Sequence, residues 1–300
     1  MDKAAPARSA DRRAAPRKRP QLVESGSFRL DPRKAFEKLR DFQTADPDMF
    51  VLPLVRAAVA SAATRIDLRL PGPMSETFEM RFDGAPLDPA AADPAVCLFA
   101  PAAAPAVRQA AVGMLAAFRV HPEILLCSGA GSERRSLAIT PLGTRAGALL
   151  EEEEETVLSV ALSRPLPGDW TPRVAAACAY CPCKISVNGE ALEGFSRRGG
   201  LEVKERGRRI WVQPAHRDAP VILLCHWGVV AGRWSRRQSP RVAGFADDPA
   251  LALSMSQDSV VKNAALEAAR EAVDRAARRL AAGWRKGPRE AKPARRPRRG

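Results

Sequence analysis

Hydrophobic and polar positions change period within residues 51–70, VLPLVRAAVASAATRIDLRL. Leu54, Val55, Ala58, Val59 and Ala62 recur at helical spacing, whereas TRIDLRL alternates and sets Ile66, Leu68 and Leu70 on one face. The pattern predicts a helix running straight into a strand. A second alternating run, TFEMRFDG at 77–84, predicts the next strand, closed by a turn at Asp83-Gly84. Residues 107–120 predict a helix, EILLCSG and RRSLAIT a hairpin, and TVLSVALS a strand. Upstream, SFRL at 27–30 predicts a short strand, and Asp31-Pro32 opens a helix with a stripe at Ala35, Leu39 and Phe42. Asp46-Pro47 is a second helix start. Pro53 lies one and a half turns further on, where a proline removes a backbone hydrogen bond at a cost of about 3 kcal/mol, so a kink or a later start is expected there.

After the Pro/Gly-rich stretch 164–172 the texture changes. RVAAACAYCPCKISVNGEAL predicts a helix, a short strand and a turn at Asn188-Gly189. LEVKERGRRIWVQP predicts a hairpin around Arg206-Gly207, and VILLCHWGVVAGRW two further strands. A long helix is expected from Asp258 to about Ala282, with Val261, Ala265, Ala269, Val273, Ala276 and Leu280 on one face, suited to close packing within the chain or in a dimer. The fold class is α+β. Two domains are expected, 21–163 and 164–284, between tails at 1–20 and 285–300.

Those tails account for most of the charge. The net value of +14 divides into +5 at 1–20 (seven Lys/Arg, two acids), +7 at 285–300 (eight, one) and +2 for everything between. Both are rich in Ala, Pro and Arg and too poor in larger apolar residues to offset backbone ordering, so disordered tails are expected. They could grip phosphate backbones or serve as solubilising extensions. Apolar runs are too short for a membrane span and no secretory signal precedes the first helix, so a cytoplasmic protein with no membrane partner is expected.

Candidate chemistry is sparse. His121, His216 and His226 have no neighbouring nucleophile, CSGAGS is not a nucleophile elbow, and neither Gly-rich phosphate motif occurs. Cys178, Cys181 and Cys183 form C-x-x-C-x-C, and with Cys225 they could supply zinc ligands; small buried hydrophobes are the reading preferred here. The acidic run 151–155 scatters its carboxylates and reads as solvated.

LVRAAVASAATRIDLRL followed by MRFDGAPL nevertheless resembles the GHKL superfamily of gyrase-type topoisomerases, the ninety-kilodalton heat-shock chaperone, histidine kinases and MutL. By that resemblance Pro53 stands where the family has its water-activating glutamate, Ala57 replaces the magnesium-holding asparagine and Ala60 an aspartate. Phe82 replaces the adenine-recognising aspartate, with Asp83 and Gly84 retained as a turn. Gly113 keeps a lid-side glycine, and Thr156 matches the closing G-T motif without its glycine. Residues 241–280 resemble the chaperone's middle domain through Gly244, Asp247, Asp248, Leu251, Leu253 and Ser256, with Gln257 in place of the phosphate-sensing arginine.

The resemblance implies a two-layer α/β sandwich of GHKL (Bergerat) type, followed by a smaller α/β domain ending in a long helix. It also implies a pseudo-ATPase, because phosphoryl chemistry depends on the positioning and charge neutralisation those lost groups would supply. A non-catalytic chaperone-like or scaffolding role is expected, without ATP or magnesium and with protein partners or self-association. The alternative is a nucleic-acid-associated protein held on DNA by its tails.

Overall fold

In the computed structural model the described residues are 46–71, 76–88, 93–98, 102–141, 143–147, 154–196, 199–215, 220–235 and 239–285, with a few positions between 31 and 39 and residue 100. The strand expected at 27–30, His216, the first tail and the second from residue 286 onward lie outside them; Arg285, expected to open that tail, belongs to the last helix. No helix among them is long and apolar enough to cross a membrane.

Asp46 accepts from the Asp48 amide at 3.0 Å and opens a short 3-10 turn, Pro47–Met49. Helix α1, Val51–Ala60, follows directly. Pro53 falls in its first turn, where no intrahelical partner awaits an N–H, so the expected kink has no cause. Strands β1, Arg65–Arg69, and β2, Thr77–Phe82, pair antiparallel, Ile66 opposite Phe82. A single helical turn at Pro94–Cys97 precedes α2, Pro105–Ala117. Then come β3, Ile124–Ser128, β4, Arg135–Thr140, β5, Gly143–Ala146, and β6, Thr156–Ala161. Helix α3, Trp170–Cys178, leads to β7, Lys184–Val187, and β8, Glu190–Ala191.

These eight strands form one sheet in the order β5-β4-β3-β6-β2-β1-β7-β8, antiparallel except where β7 runs parallel to β1. The alternation in β1 and β2 is used as the pattern predicts. Ile66, Leu68, Phe78, Met80 and Phe82 enter the core with α1, α2 and α3, while Asp67, Glu79 and Arg81 lie on the other face. A sheet with one polar face fits antiparallel pairing.

The expected boundary at 163/164 lies between β6 and α3, but α3, β7 and β8, which follow it, complete this first sheet and its core. Trp170 is buried, and its Nε1 donates to the Asp48 carbonyl at 2.9 Å. Residues 170–172, read as linker, are the first turn of α3.

The second sheet contains β9, Leu201–Glu205, β10, Arg208–Pro214, β11, Val221–His226, β12, Val229–Ser235, and β13, Val242–Asp247. Its order is β12-β11-β13-β10-β9, with β11 and β13 parallel. Three tight turns, at Asn188-Gly189, Arg206-Gly207 and Trp227-Gly228, hold both residues at positive φ, the twist two-residue hairpins prefer.

Helix α4, Ala264–Arg285, covers one face of this sheet, burying Leu266, Ala269, Val273 and Ala276 against Val203, Ile210, Val212 and Leu224. It begins six residues later than expected, because 253–260 closes a loop through the Leu253–Val260 bridge. Ala269, Val273, Ala276 and Leu280 of the expected stripe therefore pack inside the chain, whereas Val261 lies ahead of the helix and is exposed. On the opposite face Trp211, Cys225 and Phe245 meet Tyr180 and Phe195, with Phe195 edge-on to Trp211 at 4.7 Å. Strands β5 and β13 were not anticipated from the pattern: GTRA is polar and short, and VAGFAD has no clean alternation.

Candidate functional site

The positions marked by the resemblance do not converge on one open site. Ala57 is wholly buried on α1 and Phe82 is 1% exposed on β2. Gly113 is buried on α2, where a Cβ would stand 2.7 Å from Leu54 Cγ and closer still to Cδ2. The two helices thus pack with no space between them at this point. Thr156 is buried at the start of β6, its hydroxyl 2.8 Å from Ser128 Oγ, which accepts from the Leu87 amide at 2.9 Å. That bond ties the chain after β2 over the ends of β3 and β6.

Asp83 and Gly84 have a structural task. Asp83 Oδ1 accepts from the Thr64 and Arg65 amides at 2.7 and 2.9 Å, and Oδ2 from the Thr64 hydroxyl. Desolvation opposes the charge, but these hydrogen bonds outweigh it and hold the carboxyl below its ordinary range. A Cβ at Gly84 would come 2.8 Å from the Ser61 carbonyl. The pair clamps the connection from α1 to β1, a role that needs no ligand.

Pro53 and Gln257, by contrast, line one cavity of about 450 Å³, together with Arg56, Arg173, Arg233 and Asp258. Sequence reasoning passed over Arg56, although a signal existed: α1 is apolar on every side of it, and such a helix is buried all round. Arg56 is 1% exposed. Its Nη1 donates to Gln257 Oε1 at 3.2 Å, and its Nε has no hydrogen-bond partner among the described residues. Burial pushes its pKa down to about 10, partly opposed by Cys178, Cys181 and Cys225.

Gln257 is held at φ +59°, a left-handed conformation uncommon for a residue with a Cβ. Its Nε2 donates to the Ser254 carbonyl at 3.1 Å. The loop of residues 253–260 thus presents one amide oxygen to a buried cation.

Gln257 also borders a second cavity of about 480 Å³, formed by α2 through Gln109 and Val112, by His226 and Trp227, and by 249–255. His226 Nε2 lies 3.2 Å from the Pro249 carbonyl, which can only accept, so Nε2 carries the proton and Nδ1 is an acceptor without a partner among the described residues. Burial, with Arg56 adding to it, brings this histidine down to about 4.

Cys178, Cys181 and Cys183 do come together, around a cavity of about 200 Å³, with the Cys181 thiol within reach of both its neighbours. Its contact with Cys178 and its burial push the Cys181 pKa well up, and burial does the same for Cys225. All six cysteines are free. Among the described residues no group of three or more His, Cys, Asp or Glu side chains is arranged to hold a metal ion. Cys225 and His226 are consecutive in β11 and face opposite sides, Cys225 joining the aromatic cluster. The described end of the acidic run includes Glu155, which pairs with Arg65.

Neither a known family model nor a curated protein matches this sequence.

Proposed function

We propose that this chain is a non-catalytic, chaperone-like or scaffolding protein of the cytoplasm, built on a GHKL-type pseudo-ATPase sandwich with a second α/β unit ending in a long helix. The observation that carries the reading is the burial of Ala57, Phe82, Gly113 and Thr156 in packed core, with Leu54 against Gly113. A nucleotide would need space and polar partners where side chains now touch. Pro53 offers no carboxylate and Gln257 no charge, so the two positions that the resemblance gives to water activation and phosphate sensing carry neither group. The α4 stripe being occupied by the second sheet, protein partners would be met through other surfaces.

The test is thermal unfolding of the full chain with millimolar MgATP or MgADP, set against magnesium pyrophosphate at the same concentration. A ligand at a hundred times its Kd adds about 2.7 kcal/mol to stability, which is easily seen. No shift beyond pyrophosphate is expected; a nucleotide-specific shift would overturn the reading.

Nucleic-acid association is the second reading, favoured by the concentration of charge in the two tails. It predicts steeply salt-dependent DNA binding that disappears when 1–20 and 285–300 are removed. Equal DNA binding by the trimmed chain would contradict it.

A further inference from the structure

A guanidinium taken out of water ordinarily finds a carboxylate. Among the described residues Arg56 has none: its one side-chain partner there is the neutral Gln257 amide, and the groups that act on it most are thiols. Two of those thiols do not supply the missing charge: the contact with Cys178, and then burial, hold Cys181 protonated, and burial does so for Cys225. Asp247, the nearby buried acid, is already engaged by Arg209 at 3.0 Å and by the Gly228 amide at 2.8 Å.

The cavity that Arg56 lines continues this imbalance. Of its two acids, Asp46 pairs with Arg173 and caps the 3-10 turn, while Asp258 stays charged, its pKa held low by the Ser256 and Ser254 hydroxyls that donate to it at 2.6 and 3.0 Å; set against Arg56 and Arg233, this leaves one positive charge in excess. Of its three arginines only Arg173 is committed to an acid. Arg233, exposed on β12, makes no ion pair among the described residues. Met49, Leu52 and Val230 give the remaining wall an apolar character.

We propose that this cavity between α1, α3 and β12 binds an organic anion, a phosphate- or carboxylate-type head on an apolar body. The head is held by Arg233, with the buried Arg56, fixed by Gln257, supplying uncompensated positive charge from behind the cavity wall, and the body lies on Met49, Leu52 and Val230. Planar guanidinium groups suit both head types, since each presents paired oxygens. The strained backbone at Gln257 fits this role, because departures of that kind gather where a side chain must be held for binding. The inference stands on the charge balance and walls of the cavity, and is independent of whether the chain descends from a nucleotide-binding protein.

The experiment is thermal unfolding and calorimetric titration of the full chain with phenyl phosphate and benzoate. Neither carries a base or ribose, so the outcome is separable from the nucleotide test. Benzyl alcohol and sodium chloride at matched ionic strength are the controls. A saturable rise in Tm with at least one anion and with neither control is expected, the tighter probe identifying the head group. Arg233→Gln, at an exposed position, is expected to weaken binding by about tenfold, the loss of one charge-assisted contact. Arg56→Met, which keeps the apolar stem, is expected to abolish it. No saturable shift with either anion at about a hundred times the micromolar Kd range typical of a specific small site, or a shift untouched by Arg233→Gln, overturns the proposal. The second outcome does so even if Arg56→Met fails to fold.

Discussion

Gly113 on α2 backs directly onto Leu54 on α1, so closely that a methyl group at Gly113 would overlap the leucine side chain. Helix propensity alone would favour alanine over glycine at this interior position by about 1 kcal/mol. Close approach of the helices is the reason for glycine here. Gly113→Ala is expected to destabilise the protein by about 1–3 kcal/mol, the usual range for overpacking a tight core. In the Leu54→Ala background the same change should cost less or become favourable, since the space has been vacated. Denaturant unfolding of the four proteins in a double-mutant cycle measures this coupling; an additive result would mean the helices separate freely.

A chain cut after residue 163 is expected not to fold. Such a fragment ends at β6 and lacks Trp170 and Val174, both buried in the first core, and β7, which covers the edge of β1. It should show no cooperative thermal transition, whereas a fragment ending after Ala191 retains the whole first sheet. Cooperative unfolding of the shorter fragment would show that α3 and β7 are accessories to the first unit.

Stability should fall on mild acidification because of His226. Its folded pKa of about 4 lies below the ordinary 6.5, so the native state resists protonation that the unfolded chain accepts. The stabilisation is complete above pH 6.5 and is lost as pH falls from there towards 4. It amounts to no more than about 3 kcal/mol, from the size of the shift. His121, lowered by burial, acts in the same direction. Asp247, raised by burial, acts in the opposite direction nearer its own range. Denaturation midpoints across pH 4–7 should show the decline, and His226→Gln should flatten it. An unchanged slope in that variant would assign the effect elsewhere.

The sequence by itself determined the local elements, because their causes are local. Alternation set the inward faces of β1 and β2, Asp46-Pro47 opened the turn before α1, and Asn-Gly and Arg-Gly pairs made hairpins. The α+β class follows from those pieces.

Which strands become neighbours was decided by tertiary structure. Lys184 pairs with Arg65 in parallel across more than a hundred residues, and nothing in KISV distinguishes that edge from another. Such pairing depends on which apolar faces remain to be buried once α1, α2 and α3 have covered the sheet. The Arg56–Gln257 contact was equally out of reach, since it joins a helix to a loop 201 residues away. The sequence marked Gln257 only through an absent arginine. Burial of Arg56 by the packing of α1 is what turned that absence into a cavity with an unbalanced charge.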